Sequence, residues 1–152
     1  MELKFKKLQP DAQQPVYGSD GAACFDLHAY MPKTEANEPD QFVANGMPLA
    51  VNTALAFEIP EGFGMLIFSR SGHGFKNDVR LANCVGVIDH DYKGEVLVKL
   101  SCDGPEHRAF PVKHGDRIAQ AALIAMPRVS FVEVDELTPT ERGANGFGST
   151  GE

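Results

Sequence analysis

The sequence has few cysteines, and they lack the spacing of a disulfide framework or a metal site. Cys24, Cys84 and Cys102 are odd in number and show no CxxC or Cys/His pattern. The five histidines are scattered and include no HExxH-like pair. We therefore predict reduced thiols buried in the core, with Cys84 and Cys102 favoured for burial by the apolar runs around them, and no metal bound directly by side chains.

Positive charge and long apolar runs are also scarce. The 152 residues include 14 Lys and Arg against 21 Asp and Glu, a formal net charge of -7. This balance argues against nonspecific binding to nucleic acid, although a small anion still fits if local arginines and a divalent cation offset the acidity. No apolar run is long enough for a signal peptide or a membrane span, which predicts a soluble protein of the cytoplasm or another intracellular compartment, without membrane contact.

Apolar residues recur at every second position in short runs, which is typical of β-strands. Clusters of Gly, Pro, Asn and Asp separate the runs, so we predict a single all-β domain, a sandwich or barrel. The runs are Leu3 and Phe5; Ala23, Phe25 and Leu27; Val51 to Ile59; Val96, Val98 and Leu100; Val129 and Phe131. No long amphipathic helix is visible, and the alanine-rich segment 116–125 is predicted to be a buried strand.

Two segments depart from this rhythm. Residues 32–48 contain three prolines and several acidic residues, which indicates a loop or hairpin excursion from a β domain covering residues 1–141. Residues 142–152 form a glycine-rich end, predicted to be a mobile tail because glycine loses the most backbone freedom on ordering.

The tail carries side chains suited to a nucleotide. Arg142 can fork onto phosphate oxygens, Phe147 can stack on a flat ring, and Gly148, Ser149 and Thr150 can offer backbone and hydroxyl donors. We interpret the tail as a lid that orders over a ligand. A disordered polar terminus is the alternative.

The densest functional signal is the segment NCVGVIDHDYKG, residues 83–94. It resembles a β-hairpin with the carboxylate of Asp89 at its mouth, where an aspartate can hold a water molecule and take its proton. Alternatively, Asp89 and Asp91 only set the turn, and Tyr92 only packs across the strands.

Two further segments are candidate anion sites. SRSGHG, residues 69–74, follows an apolar strand and can open a short helical turn, so that Arg70, Ser71 and local N–H groups receive an anion. Alternatively, it is a turn in which Arg70 partners a buried acid. In HGDRIAQ, residues 114–120, pairing of Asp116 and Arg117 with each other or with neighbours is favoured over ligand contact.

Five segments, SDGAACFDLHAY, SRSG, NCVGVIDHDYKGE, HGDRIAQ and RGANGFGSTG, resemble in sequence and order the five motifs of the trimeric deoxyuridine triphosphate nucleotidohydrolases, the dUTPases. The resemblance spans about residues 18–151. It implies a jelly-roll-like homotrimer with a flexible glycine-rich C-terminal tail. Two positions depart from the family pattern, since Cys24 replaces the usual glycine and His28 the usual arginine.

The resemblance implies hydrolysis of dUTP to dUMP and pyrophosphate, which limits uracil incorporation into DNA and supplies dUMP for thymidylate synthesis. Asp89 would activate the water that attacks the α-phosphorus, and Tyr92 would lie against the deoxyribose and exclude a 2'-hydroxyl. The uracil edge would be read by the backbone around Asn83, Val87, Ile88 and Leu97.

By the same resemblance, the phosphates would be held by Arg70, Ser71, Gly72 and Gln120. Mg²⁺ would be carried by the phosphates and water, with Asp26 supporting its water shell or fixing Arg70. The tail residues Arg142, Phe147, Gly148, Ser149 and Thr150 would close over the site of another subunit.

Two other functions remain open at this stage. A dCTP deaminase of the same fold would release ammonia instead of pyrophosphate. A dUTPase-like module without catalysis would bind a protein partner through residues 32–48 in a nucleotide-gated manner.

Overall fold

The computed structural model describes residues 1–31, 41–105 and 108–145. Four of the predicted tail contacts, Phe147, Gly148, Ser149 and Thr150, lie outside these ranges, as do residues 32–40 of the predicted excursion. The predictions about a lid and about a protein partner on residues 32–48 therefore stay predictions.

The described residues form twelve strands and one short helix, as the period-two pattern predicts. The strands are β1 Lys4–Lys7, β2 Val16–Tyr17, β3 Phe25–His28, β4 Gln41–Ala44, β5 Leu49–Asn52, β6 Leu55–Glu58, β7 Phe63–Phe68, β8 Val79–Leu81, β9 Val85–Ile88, β10 Leu97–Cys102, β11 Ala109–Val112 and β12 Arg117–Ala125; the helix is α1 Ser71–Asn77. Within the described ranges no helix is long and apolar enough to cross a membrane.

The strands form a five-stranded sheet in the order β2-β3-β12-β7-β9, a three-stranded sheet in the order β5-β10-β8, and the pairs β1-β6 and β11-β4. Large apolar side chains from several of these groups are fully buried, among them Leu27, Leu55, Met65, Leu100 and Ile118. One continuous core therefore holds the strands together, and the all-β prediction is confirmed.

Strand β12 occupies the middle of the largest sheet, between β3 and β7. Ile118, Ala119 and Ala121 are buried, and small alanines suit a strand that has neighbours on both edges and a packed face. The prediction of a buried strand over residues 116–125 is confirmed. A register shift between Arg117 and Ala119 twists the start of β12.

The period-two pattern at Val129 and Phe131 does not produce a strand. Both side chains are exposed, at 69% and 95% of their surface, and residues 126–145 belong to no named strand. A strand needs a partner for its backbone groups, and the described part of a single chain supplies none there. The pattern marks a segment whose apolar side chains are exposed among the described residues of the lone chain.

The prediction that the three thiols are buried in the core is confirmed for one of them and wrong for the other two. Cys102 is buried, whereas Cys84 is exposed and Cys24 is partly exposed. Cys84 adopts a left-handed backbone with φ of 63° in the turn between β8 and β9, so its side chain leaves the core although its neighbours in sequence are apolar.

The described end of the predicted excursion, residues 41–48, is integrated into the fold. β4 pairs with β11, and Val43 is fully buried. Ala44 and Met47 then close a tight turn that leads into β5.

Thr53 joins β5, β6 and the segment before β10 through one buried hydroxyl. Its Oγ1 donates to the Val96 carbonyl at 2.7 Å and accepts from the Leu55 N–H at 3.2 Å. We expect Thr53→Val to lower the free energy of unfolding by about 1–3 kcal/mol, because both partners lose their hydrogen bond in a buried place. Denaturant unfolding at matched protein concentration measures this. Thr53→Ser is the control that keeps the hydroxyl, and equal losses in both variants would contradict the assignment.

Candidate active site

Strands β9 and β10 flank the segment 89–96 but do not pair with each other. β9 pairs with β7 at the edge of the five-stranded sheet, whereas β10 pairs with β5 and β8 in the three-stranded sheet. The prediction of a conventional β-hairpin over residues 83–94 is therefore wrong in its pairing. The divergence leaves the outer backbone edge of β9 without a partner strand among the described residues, and Val87 on it is 61% exposed.

Asp89 directly follows β9, with its carboxylate exposed. Its carbonyl oxygen accepts the Tyr92 N–H at 3.2 Å, which closes a turn and directs the chain away from β9. The carboxylate borders a cleft shared with Gly64, Val87 and Arg128. An exposed carboxylate beside an unpaired backbone edge has both room for a ligand and access to water.

Tyr92 lies on the same turn with nearly half of its surface exposed. Its hydroxyl donates to the carbonyl of Glu95 at 2.9 Å. Asn83, which precedes β9, and Leu97, at the start of β10, are exposed as well. Of the residues predicted for base and sugar recognition, Val87, Ile88 and Tyr92 adjoin Asp89, whereas Asn83 lies beyond the opposite end of β9.

Asp26 is a buried carboxylate held between two arginines. Its Oδ1 accepts from Nε of Arg70 at 3.0 Å, and its Oδ2 accepts from Nη1 of Arg117 at 3.3 Å. The alternative prediction, that Arg70 pairs with a buried acid, is therefore confirmed. Arg117 pairs with Asp26 and not with Asp116, whose carboxylate accepts the Lys113 N–H at 2.8 Å.

His28 lies close to this cluster on strand β3 and is buried. Burial lowers the pKa of the imidazole below its ordinary value, with Arg117 and Arg70 acting in the same direction and Asp26 against it. Its Nδ1 has no hydrogen-bond partner among the described residues. A neutral His28 adds no charge to the cluster, so the carboxylate of Asp26 stays available to the arginines.

The remaining predicted phosphate contacts lie beside Arg70. Arg70 is the extended residue before α1, and Ser71 and Gly72 form the exposed first turn of that helix. Gln120 sits opposite both Asp26 and Phe68 in the sheet, and its Nε2 donates to the Ser69 carbonyl at 2.9 Å. Gln120 therefore fixes the end of β7 from which Arg70 projects.

The two groups of candidate residues lie at opposite ends of the β7-β9 pair. Phe68 pairs with Val85 and Met65 with Ile88, so Arg70 follows one end and Asp89 the other. Since a strand rises about 3.4 Å per residue, Arg70 and Asp89 are roughly 15–20 Å apart within one chain. The structure brings together Asp89, Tyr92, Val87 and Ile88, and separately Asp26, Arg70, Ser71, Gly72 and Gln120; Leu97 begins β10 in the three-stranded sheet.

Arg142 belongs to neither group on the evidence of its contacts. It is exposed, and its Nε donates to the nearby Asn145 carbonyl at 2.9 Å. Sequence reasoning missed one structural residue, Glu95, whose Oε1 accepts the Ala54 N–H at 2.7 Å from 41 positions away. Its only signal in the sequence is that it is an acidic residue directly after the Lys93-Gly94 turn.

The fold matches solved dUTPase structures. The dUTPase of Staphylococcus bacteriophage 80alpha, solved with dUPNHPP, superposes with a TM-score of 0.81 at 24% identity, covering 99% of both chains. A variant dUTPase of phage phi11 of S. aureus, described with a structural Mg(II) ion, gives a TM-score of 0.74 at 19% identity over 90% of this chain and 98% of its own. At these identities the likeness shows the fold.

Sequence comparison reaches further. The deoxyuridine 5'-triphosphate nucleotidohydrolase of Nautilia profundicola is 42% identical over 151 residues, covering 99% of both chains. That of Desulfitobacterium hafniense is 44% identical over 152 residues, covering 99% of this chain and 95% of its own. The dUTPase family model matches residues 11–151, and the chain belongs to the dUTPase family.

Proposed function

We propose that this member of the dUTPase family hydrolyses dUTP to dUMP and pyrophosphate, with Asp89 as the general base. The observation that carries the proposal is the exposed Asp89 carboxylate beside the unpaired edge of β9. The family relatives are nucleotidohydrolases, which favours this reaction over deamination of dCTP. The reaction limits uracil incorporation into DNA and supplies dUMP for thymidylate synthesis.

The open edge of β9 recognises the base. Backbone N–H and C=O groups without a strand partner can form hydrogen bonds to the polar edge of uracil, as a pairing base would. Val87, Ile88 and Leu97 supply this surface together with Asn83. The ring of Tyr92 lies under the deoxyribose and leaves no room for a 2'-hydroxyl.

Asp89 activates the attacking water. The carboxylate accepts a proton from water while the water oxygen bonds to the α-phosphorus, and the bond from that phosphorus to the α,β-bridging oxygen breaks. Pyrophosphate carries away the electron pair of the broken bond.

Arg70 binds the phosphates with Ser71, Gly72 and Gln120, and Ser71 donates to the oxygen that leaves. Asp26 supports this binding by holding the Arg70 guanidinium through Nε, and Nη1 also donates to the Arg117 carbonyl at 3.5 Å, which leaves Nη2 available to phosphate oxygens. An arginine fixed in advance loses less side-chain entropy when the nucleotide binds.

Mg²⁺ fits as an ion carried by the nucleotide. Among the described residues no three His, Cys, Asp or Glu side chains converge on one point, and both oxygens of Asp26 already accept from arginines. The donor set therefore suits a cation held by phosphate oxygens and water. When bound, Mg²⁺ neutralises phosphate charge.

A homotrimer completes the site. Since one chain holds Asp89 and Arg70 roughly 15–20 Å apart, a nucleotide contacts Asp89 of one subunit and Arg70 of another. The exposed apolar residues of the segment 126–145, such as Phe131 and Leu137, are suited to burial against a neighbouring copy. Residues 1–141 form the β domain, and the tail 142–152 closes over the site through Arg142, Phe147, Gly148, Ser149 and Thr150.

We expect Asp89→Asn to lower kcat by about 10²–10⁴-fold, because the amide cannot take a proton from water. Binding of dUTP should be largely retained, since the amide keeps the size of the side chain. Pyrophosphate release and calorimetric binding measure the two effects. Asp91→Asn, two positions away on the same exposed turn, is the matched control. Ammonia release from dCTP by the parent chain would instead support the deaminase.

Mixing two inactive variants tests the shared site. Asp89→Asn and Arg70→Ala chains, each inactive alone, should regain up to about a quarter of the parent activity after subunit exchange at equal ratio, because some interfaces then join an intact Asp89 to an intact Arg70. Each variant taken through the same exchange alone is the control. No gain, with mixed oligomers verified by mass spectrometry, would place both groups of one site in a single chain.

Deleting residues 142–152 should lower turnover by about tenfold or more, because the phosphates lose the groups that position them. The fold should be unchanged, since within the described residues Arg142 forms a local hydrogen bond to Asn145. Pyrophosphate release and thermal unfolding measure these effects. A truncated chain that fails to fold would argue against a separate tail.

A further inference from the structure

We propose that Gly94 and Glu95 are positioning residues. They set the position of the Tyr92 ring relative to the sugar subsite, and thereby the discrimination between deoxyribose and ribose. The inference rests on the proposed function, because it concerns the sugar subsite of the same nucleotide site. Neither residue needs to touch the nucleotide. Each acts through its contact with Tyr92.

Gly94 provides the space in which the Tyr92 ring lies. A Cβ built on Gly94 would stand 2.5 Å from the Tyr92 hydroxyl oxygen, 2.7 Å from Cζ and 3.1 Å from Cε2. Carbon atoms do not approach ring atoms this closely, so any side chain at position 94 pushes the ring away. The clash falls on the far end of one side chain, so the ring moves and the backbone of the turn is kept.

Glu95 holds the ring at the same hydroxyl end, through a hydrogen bond. Its carbonyl oxygen accepts the Tyr92 hydroxyl at 2.9 Å, while its Oε1 accepts the Ala54 N–H at 2.7 Å. Ala54 lies in the turn between β5 and β6, has a left-handed backbone with φ of 53°, and is itself buried. The atom that receives the tyrosine hydroxyl is thus anchored to a rigid turn of the core.

Gly94 lies against the hydroxyl end of the ring, and 46% of the surface of Tyr92 remains exposed and accessible to a nucleotide. The Tyr92 N–H also bonds to the carbonyl of Asp89, so the ring and the catalytic base share one turn. A small displacement of the Tyr92 ring alters the space for a 2'-hydroxyl without removing any group that takes part in the reaction.

The test is the ratio of kcat/KM for UTP to that for dUTP, both measured on the same preparation, so that any loss of folded protein cancels. We expect Gly94→Ala to raise this ratio by about tenfold, the lower range for one misplaced group in a pocket. Gly21→Ala is the matched control, because a Cβ there meets nothing within 4 Å and the ratio should not change.

Glu95→Ala should raise the ratio in the same direction, because the Ala54 N–H loses its acceptor and the carbonyl of residue 95 is no longer fixed. Glu95→Gln keeps an oxygen at Oε1 and should restore the parent ratio. Tyr92→Phe removes the hydroxyl donor and should also relax discrimination, whereas Tyr17→Phe, an exposed ring packed edge-on against Phe25, should not.

The outcomes distinguish a failure of the proposed function from a failure of the inference about Gly94 and Glu95. A parent chain that releases no pyrophosphate from dUTP overturns the proposed function, and the discrimination is then measured from binding of dUTP and UTP alone. A parent that hydrolyses dUTP, with Gly94→Ala and Glu95→Ala at the parent ratio, overturns the inference. Should Glu95→Ala fail to fold, Gly94→Ala and Tyr92→Phe decide it.

Discussion

The divergence of β9 and β10 into different sheets is the constraint on which the site depends. Two strands that follow each other across a short turn ordinarily pair and satisfy each other's backbone groups. Here β7 takes one edge of β9, and β5 and β8 take both edges of β10. No strand in the described part of the chain pairs with the remaining edge of β9 beside Asp89, so the fold itself offers the donors and acceptors that a flat polar ligand needs.

A second constraint is the carboxylate of Asp26, the one buried carboxylate among the described residues. Leaving it unpaired would cost several kcal/mol, whereas Arg70 and Arg117 each donate to one of its oxygens. His28 stays neutral nearby because burial lowers its pKa. The chain thus uses one negative charge to orient two guanidinium groups, which concentrates positive charge locally in a protein whose formal net charge is -7.

The sequence predicts local features well and nonlocal pairing poorly. The buried strand β12 follows from its own apolar pattern and the proline after it, and the exposed first turn of α1 follows from Ser71 and Gly72. The same period-two pattern fails at Val129 and Phe131, because a strand also requires a partner that the described part of the chain does not provide. Likewise, residues 83–97 resemble two arms of a hairpin, and only the positions of β5, β7 and β8 decide otherwise. The contact of Glu95 with Ala54 spans 41 positions and has no local signal.

The separation of the two half-sites is built into the core. Met65 and Ile67 of β7 are buried, and the register of β7 with β9 is continuous from Met65 to Phe68. Sliding these strands would expose the apolar face of β7, because a shift of one residue reverses every side chain. Local motion therefore cannot bring Asp89 to Arg70 within one chain. Under the proposed function, association between chains would unite the edge of β9 with the Asp26–Arg70 cluster, and it would also cover the exposed apolar side chains at Phe131 and Leu137.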